Sequence, residues 1–576
     1  MGVVCILYIY CVNLVNLFRD TSASYESVVG QLDLIKYDPS ELSVRWDIDN
    51  VTSRFLIRHI DKAFEIYSYP WCRTLDFQTF CETILPYRIA HEPLELWLDS
   101  YNKHFDELVD YFQTHSLNDS LKCMMTLRYL SPEQNARKIQ YSALWDLPPL
   151  WYLNVLTRWD FATCRELAML GMYSFRSLGM PVYWDFTPKW ANGAVSHNWN
   201  AIEIHGKTIP FLLKDDQYFG RHLSSRPFDR VSKVFRHTFA VQPESLVIQP
   251  DRPTLIPALF NDPCLKDVTD LYVPCFDISV PLDDTISNSW AYLLSFDNRN
   301  WIPVDWGRVS GGCAHFHKVP VGNVYMVGYL CQDTLRLSDY PFLTTDQGEI
   351  HVFRPDSSFR QTLHLSRKFP CKNVYAVFDQ IYGGIFQGAC KADFSDAVNL
   401  YVIGKLKDLK PVKVSLSDTR EFRYFRYLSA PGGHCNMAEI ELWDHRGNQI
   451  VGHPISSANF YPDKSVNNVF DGNPLTYAFS VDSSGSWVGL TLPQGCSVGS
   501  FTFTPHTDEN YVVKGNNYEL FYYDHGWRSV GVRQAAQTGE ILVYKHMPTN
   551  ALWLLHNTTK GREERIFIYN GSQVWF

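Results

Sequence analysis

Apolar and polar positions change their spacing twice along this chain of 576 residues, and each change marks a change of architecture. From about 40 to 130 the spacing is helical. Over 52–67 the residues Phe55, Leu56, Ile60, Ala63, Phe64 and Tyr67 form the apolar stripe of an amphipathic helix. Phe77, Phe80, Cys81 and Ile84 continue the pattern up to Pro86. Glu92-Pro93-Leu94-Glu95-Leu96-Trp97 opens another helix with Pro93 in its first turn, and 101–112 extends it. Between 131 and 245 helix and strand patterns mix. Cys164 opens an apolar segment of helical spacing that ends at Gly179, with Pro181 just beyond. Strands come next over 182–186 and from His197 to Ile204, and a turn at His205-Gly206-Lys207 leads into a return strand over 208–213. From about 230 short alternating runs take over. A strand over 234–241 precedes a Pro-rich linker over 243–257. Strands over 272–280, 289–296, 324–330, 349–353 and 361–365 are separated by turn clusters such as Asp297-Asn298-Arg299-Asn300. This is the pattern of a β-sandwich of immunoglobulin-like size.

Length predicts three or four domains. The patterns divide the chain into a helical N-terminal region (1–130), an α+β domain (131–245), a β-sandwich (246–368) and a second all-β domain (369–576). Thirty-three Tyr, 36 Phe and 17 Trp suit all-β domains and ring-stacking surfaces. A net charge of −9 without a Lys/Arg cluster argues against a nucleic-acid partner. The apolar run 3–18 reads either as a buried helix or as a degraded signal sequence. No Lys or Arg precedes it, no small-residue cleavage site comes after it, and Asn13 and Asn16 argue against a membrane span. The 14 cysteines are scattered, with no CxxC. Free thiols are expected, with Cys264–Cys275 and Cys72–Cys81 as the pairs that would bridge. No zinc spacing is present, and His315 and His317 share a strand face without a third ligand.

The chemistry is concentrated between Cys164 and His197. A thiol at a helix N-terminus is favoured as thiolate by the dipole and the free N–H groups. A histidine on an adjoining strand takes the thiol proton and returns it to the leaving amine. Four stretches carry a resemblance: Cys164-Arg165-Glu166-Leu167-Ala168, Arg176-Ser177-Leu178-Gly179-Met180-Pro181, Trp184-Asp185-Phe186-Thr187 and His197-Asn198-Trp199-Asn200. Together they resemble the transglutaminase-like branch of the papain-like superfamily, including the peptide N-glycanase group. The resemblance implies Cys164 as nucleophile and His197 as base. The family's third residue is an Asp on the return strand, and Leu212 stands at the matching position. With a two-residue turn at His205-Gly206, residue 197 pairs with 214, and Asp216 falls on the same face as Lys214 and Leu212. Asp216 is the candidate substitute. A bulge would exchange it for Asp215, and Asp185 is a third candidate.

A second resemblance lies toward the C-terminus. It rests on Phe422-Arg423-Tyr424-Phe425-Arg426-Tyr427-Leu428, Met437-Ala438-Glu439-Ile440-Glu441-Leu442-Trp443 and Val469-Phe470-Asp471-Gly472-Asn473-Pro474-Leu475-Thr476. Trp487-Val488-Gly489-Leu490 and Glu563-Glu564-Arg565-Ile566-Phe567 extend it. These look like the discoidin (coagulation factor 5/8 type C) fold, a galactose-binding-like β-jelly roll. In such domains the Asp-Gly-Asn loop often wraps calcium. Asp471, Asn473 and Thr476 supply suitable oxygens, and Glu564 is the candidate to complete the cage; a plain turn is the alternative. Glycan contact in this family comes from end loops, for which the candidates are Phe460, Tyr461, His506, Asp508, Asn510 and Tyr511, the last four in the patch 504–511.

The expected fold class is therefore multidomain α+β and all-β. The expected function is a cysteine-dependent amide hydrolase acting on a glycopeptide or peptide, without a catalytic cofactor and with a carbohydrate-binding C-terminal module. The alternative is a non-catalytic surface protein that kept the fold and lost the triad. The order of domains resembles secreted or surface proteins of Bacteroidetes. That resemblance implies an extracellular, cell-surface or periplasmic location, a glycan partner and no integral membrane span. Oligomeric state is left open.

Overall fold

Thr52 starts the first long helix, Ser53–Tyr67, by accepting the Phe55 N–H on its side chain at 3.2 Å. The structure, a computed structural model, describes residues 3–6, 43–136, 140–141 and 161–576. Excepted are 91, 194, 214–218, 221–222, 224–228, 283–287, 299, 332–333, 370–373, 407–410, 458, 463, 475, 507–509 and 561–563. The run 3–18 thus lies outside the described residues except for Val3–Ile6, a strand paired with Ser43–Trp46. The chain divides into two units, Met1–Val352 and Phe353–Phe576.

In the first unit the helices Ser53–Tyr67, Phe77–Thr83, Trp97–His104, Asp106–Thr114 and Asp119–Ala136 precede the mixed region. The helix expected from Glu92 to Phe112 is two helices and begins later, at Trp97. Pro93 disfavours a helical Glu92. The Glu92 carboxylate accepts the Ile89 and Ala90 N–H groups at 2.7 Å each, which makes this stretch a turn. Phe105, at φ −107° and ψ 15°, separates the two pieces. These helices share one core with the mixed helix–strand region. Ala63, Ile66, Phe80, Trp97 and Phe105 pack with Met169, Met172 and Phe175 of helix Cys164–Ser177 and with Val182, Trp184 and Ile202.

Helix Cys164–Ser177 ends at Gly179, whose φ of 74° suits only glycine without strain. Its last carbonyls are closed from the N-terminal region. Trp71 Nε1 donates to Leu178 O at 2.8 Å, Cys72 Sγ to Gly179 O at 3.2 Å, and Asn102 Nδ2 to Ser177 O at 2.9 Å. The helix lies on a five-stranded antiparallel sheet. The strand order is Lys207–Phe211, His197–Ile204, Val182–Thr187, Phe235–His237, Leu265–Asp267. Helix and sheet meet at Gly171, where a Cβ would stand 2.0 Å from Asn200 Oδ1. His205 and Gly206, both at positive φ, make the two-residue turn, with Ile204 opposite Lys207.

Residues 275–352 form an eight-stranded antiparallel sheet. Ile278, Leu293, Phe316, Tyr325 and Phe342 share its core, and the sheet curls until Gly348 lies against the Phe276 ring of its edge strand. One of its strands, Asn300–Ser310, carries no clean alternation in the sequence. Pro303 falls at a register shift opposite Leu294, and Gly307 leaves room for the His315 carbonyl, 2.1 Å from where a Cβ would sit.

The second unit has two cores. Strand Asp356–Leu365, read from sequence as part of the preceding sandwich, pairs with Leu542–Thr549. Leu363 and Leu365 join Tyr518, Leu520, Trp553 and Phe567 in one core. Between these parts, 374–505 forms a module of its own around Phe386, Phe425, Tyr427, Ile440, Phe501 and Phe503. The strand Trp487–Pro505 spans it: its first half pairs with Glu421–Leu428 and its second with Asn436–Asp444. The module is inserted through a narrow neck. Lys368 N donates to Asn510 O at 2.8 Å, Val512 N to Ser366 O at 3.3 Å, and Arg367 bridges Tyr511. Mixed helix and sheet in the first unit, and a second unit that is β apart from helix Val374–Ile381, agree with the expected multidomain class at this coarse level.

Candidate functional site

Thr163 caps the thiol helix reciprocally with Glu166: its side chain accepts Arg165 N at 3.2 Å, and its own N–H donates to Glu166 Oε2 at 2.9 Å. Cys164 is thereby the first helical residue, 2% exposed. Its Sγ receives the side-chain amide of Asn198, with Nδ2 at 3.6 Å. Asn198 is the residue after His197 in strand His197–Ile204, and consecutive Cα atoms stand about 3.8 Å apart. Cys164 and His197 therefore come to the same end of the same helix–sheet pair. The strand pleat sends neighbours to opposite faces. Asn198 turns to the helix, while the His197 ring lies against Trp190 and Trp199, at centroid distances of 5.5 and 5.8 Å.

Asp185 shares the sheet face of His197, but its hydrogen bonds go elsewhere. Arg236 holds it in a fork, Nε to Oδ1 at 2.8 Å and Nη2 to Oδ2 at 2.9 Å, and Tyr272 O–H donates to Oδ2 at 2.5 Å. Burial, and then the Asp185 carboxylate, push the Tyr272 phenol well up, so it stays a donor. The same hydroxyl receives the Trp199 indole N–H at 3.1 Å, which anchors the wall behind His197. Asp216 and Asp215 lie outside the described residues, and Leu212 is buried. The Cys264–Cys275 and Cys72–Cys81 pairs are not bridged; all four thiols are free. Burial pushes Cys72 up to about 12 and Cys264 up to about 11.

A second site stands in the inserted module. Gly472, at φ 71°, turns the loop. Asp471 accepts Asn473 N at 2.8 Å and Thr476 O–H at 2.8 Å, and Thr476 also donates to Asn473 O at 2.8 Å. The candidate Glu564 does not reach this loop. It is fully buried in the outer core region, against His556. The acid at the loop is Glu439, from strand Asn436–Asp444, 6% exposed and facing the Asp471 carboxylate and the Asn473 N–H. Burial first, and Asp471 next, push Glu439 up to about 9. Its Oε1 is buried without a hydrogen-bond partner among the described residues. An orphaned acid oxygen beside a second carboxylate, a hydroxyl and a carbonyl is an oxygen-only donor set, which fits a hard cation such as calcium. Sequence reasoning did not place Glu439 beside this loop. Its signal was an acid inside a run that otherwise reads as a buried strand.

The proposed glycan residues separate. His506 stacks on Tyr477, with Lys464 Nζ 4.0 Å from the centre of the same ring. Asn510 and Tyr511 are not on an open loop: they are 5% and 1% exposed. Their backbone forms the neck, and Tyr511 O accepts the Tyr518 O–H at 3.2 Å. Asp508 lies outside the described residues. Tyr461 is 45% exposed and packs on Phe479.

His315 bonds Ser279 and Ser310 while His317 pairs with Asp277, so the two rings serve separate contacts. Among the described residues no three His, Cys, Asp or Glu side chains gather as a metal set, and no helix is long and apolar enough to cross a membrane. Comparison with known proteins finds no match: no family model, no curated protein and no solved structure is similar to this chain.

Proposed function

We propose that this protein is a cysteine-dependent amide hydrolase of the transglutaminase-like, peptide N-glycanase-like kind, acting on a glycopeptide or peptide. The observation that carries the reading is the seat of Cys164 on a capped helix tip, its sulfur against Asn198 and one residue from His197. The pleat puts the His197 ring on the sheet face away from Asn198, so the step requires the strand end to turn the imidazole to the thiol; the thiol proton then passes to it, and sulfur attacks the amide carbon. As the C–S bond forms and the C–N bond breaks, the imidazolium gives its proton to the leaving amine. Water then attacks the thioester and yields a proton to the imidazole. The C–S bond breaks, the carboxylic acid leaves and the proton returns to sulfur. Asp216 is the proposed orienter of His197, since Asp185 belongs to Arg236 and Tyr272.

The inserted module is proposed to be discoidin-like and to bind carbohydrate through the end that carries Tyr461 and His506, with Asp508 as a further contact. Calcium, when bound, would stiffen the loop, held by Asp471, Glu439, Thr476 and the Asn473 carbonyl. A surface or periplasmic location is part of the same proposal.

The test is hydrolysis of a glycopeptide panel by the full chain. Cys164→Ser should lower the rate at least about a thousandfold with an unchanged melting temperature; equal rates for the two proteins would sink the reading. A second reading, a glycan-binding protein without catalysis, is favoured by the nearly complete burial of the thiol and the locked Asp185. Under it the wild-type chain cleaves nothing and is retained on immobilised glycan whatever stands at 164.

A further inference from the structure

We propose that Asn198 is a catalytic residue whose side-chain amide donates a hydrogen bond to the Cys164 sulfur and stabilises the charge it carries as nucleophile. The proposal rests on the amide-hydrolase reading and deepens it. An asparagine amide presents an acceptor oxygen and a donor nitrogen that look alike in outline, so its orientation must come from its neighbours. Here the neighbour decides. The Trp184 indole can only donate, and its Nε1 stands 2.9 Å from Oδ1. The opposite edge, Nδ2, must then carry its N–H groups toward Sγ at 3.6 Å.

Trp184 holds that orientation firmly. It is 1% exposed, packed in the main core, with the Arg165 guanidinium 5.9 Å from the centre of its ring. An indole packed so densely does not turn without repacking its surroundings. Trp184 and Asn198 sit on adjacent strands and the same sheet face: Trp184 is opposite Asn200 and Phe186 opposite Asn198. The amide cannot take the thiol proton. It offers only donors, which bind an anionic sulfur more strongly than a neutral one. The same sulfur stands at the positive end of the capped helix, so dipole and amide act in the same direction.

The experiment is alkylation of the full chain by iodoacetamide at pH 7, with the rate at Cys164 read by peptide mapping. Asn198→Ala should slow it about tenfold. Asn198→Asp should slow it further. That variant is isosteric and still accepts the Trp184 N–H, but it sets a negative oxygen against the sulfur. Both should melt close to wild type. Should Asn198→Ala lower the melting temperature, the isosteric Asn198→Asp carries the test. Equal rates in all three proteins, or a wild-type Cys164 that resists alkylation, would overturn the proposal. Because alkylation needs no substrate, it is separable from the parent reading. A thiol that responds to Asn198 while no amide is cleaved leaves the donor in place and removes the hydrolase.

Discussion

Asp185 and Glu439 are both acids buried in strands, one in each unit, and their surroundings are opposite. Asp185, wholly buried, meets a forked guanidinium and a phenol. Glu439, nearly as buried, meets another carboxylate and keeps one oxygen without a partner among the described residues. Removing a carboxylate from water costs several kcal/mol unless a charge or donors replace the hydration. Arg236 supplies that replacement for Asp185, so the pair is scaffold. No described cation supplies it for Glu439, so that acid either keeps a proton or awaits a metal ion. The difference teaches how to read a buried acid: its partners, not its burial, separate structure from site.

The largest expected effect concerns the frame that carries Glu439. A fragment beginning at Phe353 should melt cooperatively. One beginning at residue 370 should not, because it lacks strand Asp356–Leu365 and the wholly buried Leu363 and Leu365. Matching thermal transitions in the two fragments would show the strand to be dispensable. Next in size, Arg236→Ala strands a buried charge and should cost the first unit about 3–5 kcal/mol in urea unfolding, whereas Glu439→Gln should cost the second less than about 1 kcal/mol. A comparable loss from both would break the contrast.

The third effect is on pH dependence. Glu439 is held up at about 9 when folded, against an ordinary 4.5. Between those values the folded state keeps a proton that the unfolded state has lost. Its stabilising effect is complete below the ordinary value and falls as pH rises toward 9. In chelator, the Phe353–Phe576 fragment should therefore lose melting temperature from pH 5 to 8 more steeply than its Glu439→Gln variant. Parallel curves would remove Glu439 as the source.

What was legible in the sequence was local. Helix Cys164–Ser177, its stop at Gly179 and the His205-Gly206 turn each depend on a few adjacent residues, and the structure has them where the spacing put them. What was not legible depends on residues far apart. Asp356–Leu365 pairs with Leu542–Thr549 across an inserted module, and no spacing announces that. Asn510 and Tyr511 read as loop because they are polar and come soon after Pro505, yet they form the neck. At the thiol, Cys164 and His197 were legible as types. Asn198 was not, because its role comes from Trp184 one strand away. Glu439 was hidden because it sits on a strand apart from the Asp471 loop it faces.

The claim that a buried acid with one unpaired oxygen beside a second carboxylate marks a ligand site is tested most directly by calorimetric titration of calcium into the Phe353–Phe576 fragment at pH 7. The expected result is saturable binding of one calcium with proton release, seen as a heat that changes with the buffer's ionisation enthalpy, because Glu439 gives up its proton to the metal. Glu439→Gln and Asp471→Ala should show no binding at the same concentrations. A wild-type fragment without saturable heat at millimolar calcium, or a Glu439→Gln variant that binds as tightly as wild type, would contradict it.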